Sequence, residues 1–406
     1  MKFAKKKGML LPVLLLAILA CSLSAAGAAS AKVKIRVWNS FVKESQNGFN
    51  QIIQDYNNSQ DKVEIVSEYI PFAEIKKQLS IGVVSNELPE LVIVDNPDHA
   101  SFAAMGVFED ITARVKKWGQ LGKFFKGPVQ SAVYNGKNYG LPLYSNCLAL
   151  FYNETALKEA GVKPPRTFAE VRAAAKKLTA KDRYGLAVSA VRSEEGTFQF
   201  LPWIMAAGGS FTKLDSPEAI SALKFWTDLV KDGSMSKEII NWAQPDVEKQ
   251  FVAGKAAMMI NGPWQIANLK QDAPNLKWNV SLFPVLKKKA SVLGGSNIAI
   301  VKGKQVDESF KFLSYLCSKN VMEKWCRVTG YLPSRSDAAQ MDILQNDPVF
   351  KLFMEQMKTA LPRGPHPKWP EFSGAIQIAI QEALTDAKTP EQAMKDAARK
   401  VDYLLK

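Results

Sequence analysis

Leu91-Val92-Ile93-Val94, followed at once by Asp95-Asn96, is the stretch on which the fold turns. Four consecutive apolar residues leave no polar face, as in a parallel strand covered by helices on both sides. The segments before it fit such a sheet. Val33-Lys34-Ile35-Arg36-Val37-Trp38 alternates with period two, the mark of a strand with one buried face. Phe49, Ile52, Ile53 and Tyr56 recur at helical spacing, Val63-Glu64-Ile65-Val66 reads as a strand again, and Ile75 and Leu79 mark a second amphipathic helix. Strand and helix in alternation predict a parallel sheet flanked by helices. Ligands of open α/β sheets sit beyond the C-terminal strand ends. That rule selects Trp38 and Asn39, and Asp95 and Asn96.

The pattern restarts near residue 145. Cys147-Leu148-Ala149-Leu150-Phe151-Tyr152 reads as a strand, and Thr167-Phe168-Ala169-Glu170 as a capping box opening a helix from Val171 to Leu178. Tyr184–Val188, Ala256–Ile260 and Val280–Phe283 are further strands. Ser216-Pro217 opens a helix with a serine cap and proline at the first helical position. From Asp307 onward the chain reads almost wholly as helix, and Thr389-Pro390-Glu391-Gln392 caps the last one. Neither an internal repeat nor a Gly/Ser/Pro-rich linker separates the two patterns, so they predict two α/β units joined tightly.

The length of 406 residues suits two or three such units, and 47% hydrophobic with 23% charged residues is ordinary for a globular chain. Two histidines, His99 and His366, leave little room for histidine metal sites, and HExxH, GxSxG, GxGxxG and GxxxxGK[ST] patterns are absent. The N-terminus carries Lys2, Lys5, Lys6 and Lys7, then an apolar run from Met9 to Ala20, then small residues up to Ala31. That order is a secretory leader over residues 1–31, with small-x-small sites at Ala26-Gly27-Ala28 and Ala29-Ser30-Ala31. Cys21 offers a second route, cleavage and a lipid anchor. Either predicts a periplasmic or cell-envelope protein, since no later stretch approaches the ~18 apolar residues of a membrane span. Removing the four leader lysines takes the formal charge from +14 to +10. The remaining basic residues are scattered, which predicts a solvated basic surface and no nucleic-acid partner. Cys147, Cys317 and Cys326 stay in the mature chain. Cys317 and Cys326 could bridge, but their apolar helical contexts favour buried thiols.

Several short segments, in order, carry a resemblance: Tyr139-Gly140-Leu141-Pro142; Leu150-Phe151-Tyr152-Asn153; Ala160-Gly161-Val162-Lys163-Pro164-Pro165-Arg166-Thr167-Phe168; Phe251-Val252-Ala253-Gly254-Lys255-Ala256-Ala257-Met258; Ile260-Asn261-Gly262-Pro263-Trp264; Gly294-Gly295; and Thr329-Gly330-Tyr331-Leu332-Pro333. Together they resemble the extracellular solute-binding proteins of ABC importers, the carbohydrate-binding family that includes maltose- and glycerol-phosphate-binding proteins. The resemblance implies a two-lobed α/β periplasmic-binding-protein fold of type II. Its parallel-rich sheets are flanked by helices, and a multi-strand hinge spans a ligand cleft. Crossings are expected near 143–147, 284–297 and 331–336. They divide the mature chain into a first lobe of 32–143 with 298–331 and a second of 147–284 with 336–406. The implied molecule is a monomer that binds a sugar, passes it to membrane permease subunits, needs no cofactor or metal and catalyses no reaction.

Sugar sites combine aromatic rings for C–H faces with a few placed amides, carboxylates and guanidinium groups. On that basis Trp264, Trp38, Trp203 and Trp369 are candidate stacking platforms, while Trp226, Trp278 and Trp325 are read as packing. Tyr144, Ser145 and Asn146 lie at the first crossing, as polar contacts or as hinge hydrogen bonds. Asn261 precedes a strand-to-helix turn whose N–H groups could meet a hydroxyl. Gly295, Ser296 and Asn297 would let a ligand near the backbone, although a tight turn also explains the glycines. Tyr331 and Arg363 match ligand-holding positions of glycerol-phosphate-type members. Three rivals are a glycerol-3-phosphate-type ligand, favoured by Arg363; a secreted glycosidase using pairs such as Asp95/Asp98 or Glu194/Glu195; and a polyamine-binding protein. The last expects clustered acids in the cleft, where amides, hydroxyls and aromatics are expected here. Paired acids such as Glu194/Glu195 are read as a solvated face.

Overall fold

The computed structural model describes Met1 and residues 32–405. The leader and Cys21 lie outside the described residues. Two sheets organise the rest. The larger runs in the order Ala360–Pro362, Ser291–Ile300, Leu91–Asp95, Val33–Asn39, Val63–Tyr69, and Leu141–Asn146 pairs with Ser291–Ile300 as well. The smaller runs Trp278–Ser281, Ala149–Asn153, Ala256–Asn261, Tyr184–Ala187.

All five residues of Leu91–Asp95 are buried, as the unbroken apolar run requires. The strand Val33–Asn39 pairs in parallel with both Val63–Tyr69 and Leu91–Asp95. Leu91–Asp95 pairs antiparallel with Ser291–Ile300 on its other side. The smaller sheet departs from the expectation of parallel pairing, since Ala149–Asn153 runs antiparallel to both of its neighbours. An apolar run reads alike whichever way its neighbour points, so sequence periodicity does not carry this distinction.

The helices form where capping and apolar spacing place them. Thr167 and Glu170 make a reciprocal capping box, as do Thr389 and Gln392, and Ser216 accepts the Ala219 N–H ahead of Pro217. Helix Phe72–Ser85 buries Ile75 and Leu79. Helix Glu194–Ala206 is unusual, because twelve of its thirteen residues are buried. It runs through the core of the smaller-sheet half beside Trp226, Trp369 and Phe372. Trp226 and Trp325 are core residues, as expected, and Trp278 is half-buried. The cysteines Cys147, Cys317 and Cys326 are free and buried, and burial pushes their thiols up. Among the described residues no helix is long and apolar enough to cross a membrane, and no cluster of side chains is suited to a metal ion.

The chain leaves the larger sheet after Asn146 and enters the smaller at Ala149. It returns between Ser281 and Ser291. Near the first crossing Ser145 exchanges both backbone hydrogen bonds with Leu332, at 2.8 and 3.0 Å. Gly295 packs there with φ of 132°, and a Cβ on it would stand 2.2 Å from the Tyr144 carbonyl oxygen. No L side chain fits that position.

Candidate functional site

A cavity of about 310 Å³ opens where the two halves face each other. Its back is formed by Tyr144, Asn146, Gly295, Ser296, Tyr331 and Arg363. The larger-sheet half supplies Ser40, Lys43, Tyr69 and Asp95, and the smaller-sheet half supplies Glu194, Glu195, Phe198, Gln244, Glu248 and Trp264.

One wall is aromatic. The Tyr144 and Tyr331 rings lie 3.9 Å apart at 30°, and the Trp264 ring is 6.2 Å from Tyr331 and 6.3 Å from Phe198. Tyr331 is backed in turn by Trp325, stacked at 2°. Trp264 is half-buried. Its ring lies over Gly262, where a Cβ would come within 1.9 Å of the indole. Glycine at 262 is therefore what lets the Trp264 ring fold down onto the turn. Burial raises the Tyr331 hydroxyl to about 12 and the Tyr144 hydroxyl well above its ordinary range, so both rings stay neutral. The Tyr144 hydroxyl shares a 2.8 Å hydrogen bond with Ser296. Such a wall offers flat apolar faces without charge, which suits the C–H face of a ring with polar edges.

The floor is ionic. Arg363 is 3% exposed. It donates to both oxygens of Asp95 at 2.8 and 3.0 Å, to Glu194 at 2.6 Å and to Asn96 at 3.2 Å, with its guanidinium 4.5 Å over the Phe198 ring. Glu194 is held further by Trp369 Nε1, 3.1 Å from each carboxylate oxygen, and by Ser373 Oγ at 2.5 Å. Asp95 belongs to the larger sheet and Glu194 opens the core helix of the other half, so one guanidinium ties the two. At the rim, Lys43 pairs with Glu248 at 3.4 Å and with Asp272.

Glu195 differs from its neighbour. It accepts the Gln244 N–H at 2.6 Å and faces Asp246 rather than a cation. Burial, with a smaller contribution from Asp246, raises its carboxyl from 4.5 to about 6 against the Gln244 hydrogen bond. A carboxyl raised in the folded state stabilises the protein below its unfolded value, and that contribution is lost as pH climbs through the folded value. Glu195→Gln should therefore match the parent below about pH 4 and exceed it by up to ~2 kcal/mol above about pH 7. Urea melts at the two pH values check this; an equal difference at both would contradict it.

Of the residues chosen from sequence, Asp95, Tyr144, Asn146, Trp264, Gly295, Ser296, Tyr331 and Arg363 line this cavity. The others do not. Trp203 is fully buried among Phe168, Phe225, Trp226 and Phe283, so no ligand reaches its ring. Trp369 is equally buried and serves Glu194 through its N–H. Trp38 packs against Ile75 and Leu79 and donates to Glu68 at 2.8 Å. Asn39 bonds Ser67 and accepts the Phe41 N–H, which shapes the loop bearing Ser40 and Lys43. Asn96 stands behind Arg363, and Asn297 is engaged with Ser131. Ser145 pairs with Leu332 through its backbone. Asn261 bonds Gln244 O and accepts the Gly262 N–H, while the Gln265 and Ile266 N–H groups go to Gly262 and Pro263 carbonyls. The Gly262, Gln265 and Ile266 N–H groups at that turn are thus already used within the chain.

Three readings of charge also change. Glu194 and Glu195 are cleft residues, not a solvated face. Arg363 is not a free cation awaiting a phosphate, because Asp95 and Glu194 engage it. The cleft contains four carboxylates, so the premise that it lacks clustered acids fails. Phe198, Gln244 and Glu248 were missed altogether. A signal for the helix Glu194–Ala206 did exist: Ser193 and two acids precede eleven residues without a charge, and a helix apolar all round must start from inside the protein.

A family model described as bacterial extracellular solute-binding protein matches residues 51–351. The maltotriose-binding protein of Pyrococcus abyssi is 26% identical over 372 residues, covering 87% of this chain and 78% of that protein. The sn-glycerol-3-phosphate-binding periplasmic protein of Shigella dysenteriae is 23% identical over 96% of both chains. A crystal structure of an ABC transporter solute-binding protein from Thermotoga lettingae, bound with α-D-tagatose, superposes with a TM-score of 0.87. It is 29% identical, and the match covers 92% of this chain and all of that one.

Proposed function

The chain belongs to the bacterial extracellular solute-binding protein family, and from that premise we propose how it works. It is the exported binding component of an ABC importer. It holds a sugar or oligosaccharide between its lobes and presents it to a membrane permease. The observation that carries the sugar reading is the wall of Tyr144, Tyr331, Trp264 and Phe198 facing carboxylates and amides across one cavity. Aromatic faces take up the C–H surface of a pyranose, and the polar groups opposite accept its hydroxyls. Maltotriose and tagatose, the ligands of two relatives, belong to the same chemical class. A phosphate-bearing ligand is less suited to this floor, where Arg363 is committed to two carboxylates.

The first lobe comprises 32–143 and 298–331 and the second 147–284 and 336–406. The strands Leu141–Asn146 and Ser291–Ile300 and the Ser145–Leu332 bridge act as the hinge, which supports rigid-body closure. No reaction follows binding, and the protein acts as a monomer. Glu194, the acid best placed for catalysis, is held by Arg363, Trp369 and Ser373, an arrangement that fixes a carboxylate rather than freeing it to move protons. The leader directs export, and mass spectrometry of the native protein should find residues 1–20 to 1–31 removed. A mass retaining Met1 would contradict export by this route.

A thermal-shift screen of mono-, di- and oligosaccharides beside glycerol-3-phosphate tests the function. A ligand that binds only the folded protein raises its melting temperature, by ~2.7 kcal/mol of stability at a hundredfold excess over Kd. At least one sugar should do so. Stabilisation by glycerol-3-phosphate alone would replace the sugar reading.

A further inference from the structure

Two basic side chains line the cavity, Lys43 and Arg363, and each is paired across it. They stand at different depths. The Arg363 side chain is 2% exposed and joins Asp95 of the larger sheet to Glu194 of the other half. The Lys43 side chain is 36% exposed and lies at the rim. It opens helix Lys43–Asn58, which follows the first strand of the larger sheet. Both of its partners belong to the smaller-sheet half. Glu248 of helix Gln244–Val252 is 3.4 Å away, and Lys43 also donates to Asp272, the last residue of helix Gln265–Asp272.

The backbone at Lys43 is unusual as well. Its φ of 49° lies in the left-handed region, which a residue with a β-carbon seldom enters. Such strain persists only where the surrounding structure holds it, and it gathers at ligand clamps and switch regions. The helix gains no cap in return, because Val42 makes no side-chain capping hydrogen bond. What position 43 does have is a side chain that reaches two carboxylates on the opposite half.

Rotation about the strands Leu141–Asn146 and Ser291–Ile300 would separate groups in proportion to their distance from those strands. Arg363 follows Ala360–Pro362, which pairs with Ser291–Ile300, so its ties move least. The rim pairs move most and are the first to part. Glu248 makes the parting uneven in energy. It is 1% exposed, and among the described residues Lys43 is the basic residue paired with it. A closed cleft without that lysine would enclose an uncompensated carboxylate, whereas an open one returns the carboxylate to water.

We propose that Lys43 is a latch on the cleft: its ammonium, divided between Glu248 and Asp272, holds the two halves together at the rim while Arg363 serves as the pivot. The proposal rests on the closure reading above and adds the residue that sets the balance between open and closed forms. Ligand affinity depends on that balance, because the apparent dissociation constant scales inversely with the population of the competent form.

The experiment is pulsed electron–electron resonance on the full mature chain, without ligand, between nitroxides on Gln51→Cys and Asn275→Cys, two exposed positions on opposite halves. Lys43→Met keeps the length of the side chain and removes its charge. It should raise the ratio of open to closed molecules about tenfold or more, a change of ~1.4 kcal/mol. Asp272→Asn, whose side chain lies outside the cavity, should raise it about threefold. Adding Glu248→Gln to Lys43→Met should lower the ratio again by at least about threefold, since the enclosed charge is then gone; a residue that merely packs at the rim would show no such rescue. About 0.5 M salt should move the parent toward Lys43→Met, because the rim pairs are within reach of screening ions. Distances unchanged by Lys43→Met and by Asp272→Asn would overturn the latch. If they nevertheless shorten when a stabilising sugar from the thermal-shift screen is added, closure stands without it. One fixed distance in every variant, with and without that sugar, would overturn closure as well.

Discussion

Arg363→Met is expected to destabilise the folded chain by about 3–5 kcal/mol, the usual consequence of removing one partner from a buried ionic group. Among the described residues the guanidinium is the one cation paired directly with both Asp95 and Glu194, and all three side chains are less than a tenth exposed. Without it two carboxylates face each other across the cleft floor with only Lys76, paired to Asp98 at 2.8 Å, in the vicinity. The loss should be partly recovered by adding Asp95→Asn and Glu194→Gln, because the penalty comes from uncompensated charge rather than lost volume. Urea denaturation of the single and triple variants measures both effects. A loss below about 1 kcal/mol in the single variant would mean that solvent screens the floor as it does a surface pair.

Two tryptophans should respond in opposite ways. Trp264→Ala removes a half-buried ring from the cavity wall and should weaken ligand binding by about 2 kcal/mol or more, roughly thirtyfold. Its melting temperature should fall modestly. Trp203→Ala removes a ring with no exposure and should cost about 3–5 kcal/mol of stability through the cavity it leaves. Its affinity for ligand, measured where the variant is still folded, should stay within about twofold. Titration and melting of both variants with one sugar form the comparison. Equal effects on affinity would place the two rings in a common environment, against the geometry described above.

These contrasts also mark how far the sequence could be read. The unbroken run Leu91–Val94, the alternation of Val33–Trp38 and the caps at Thr167, Ser216 and Thr389 are local patterns with local causes, and each forms as expected. Rules about strand ends drew attention to Asp95, which lines the cavity. They also selected Trp38 and Asn39, which do not line it and whose side chains find partners in Glu68 and Ser67 of the adjacent strand. Strand position tells where a residue stands, whereas its hydrogen-bond partner depends on a neighbour some thirty residues away. The same limit hid the role of Arg363. Its two carboxylates come from positions 95 and 194, and without them it reads as a free anion-binding cation. Trp203 and Trp264 could not be separated by residue type. They are separated by context: one lies inside a helix buried all round, the other follows the Gly262-Pro263 turn.

A crystal structure of the protein with the strongest stabiliser from the sugar screen tests the central claim most directly. The sugar should lie between the two sheets with one ring face about 4 Å from the Trp264 indole. Its polar groups should lie within hydrogen-bond reach of Asn146, Glu195 or Glu248. A stabilising sugar bound anywhere else, or bound in this cavity without touching Trp264 or Tyr331, would contradict the account.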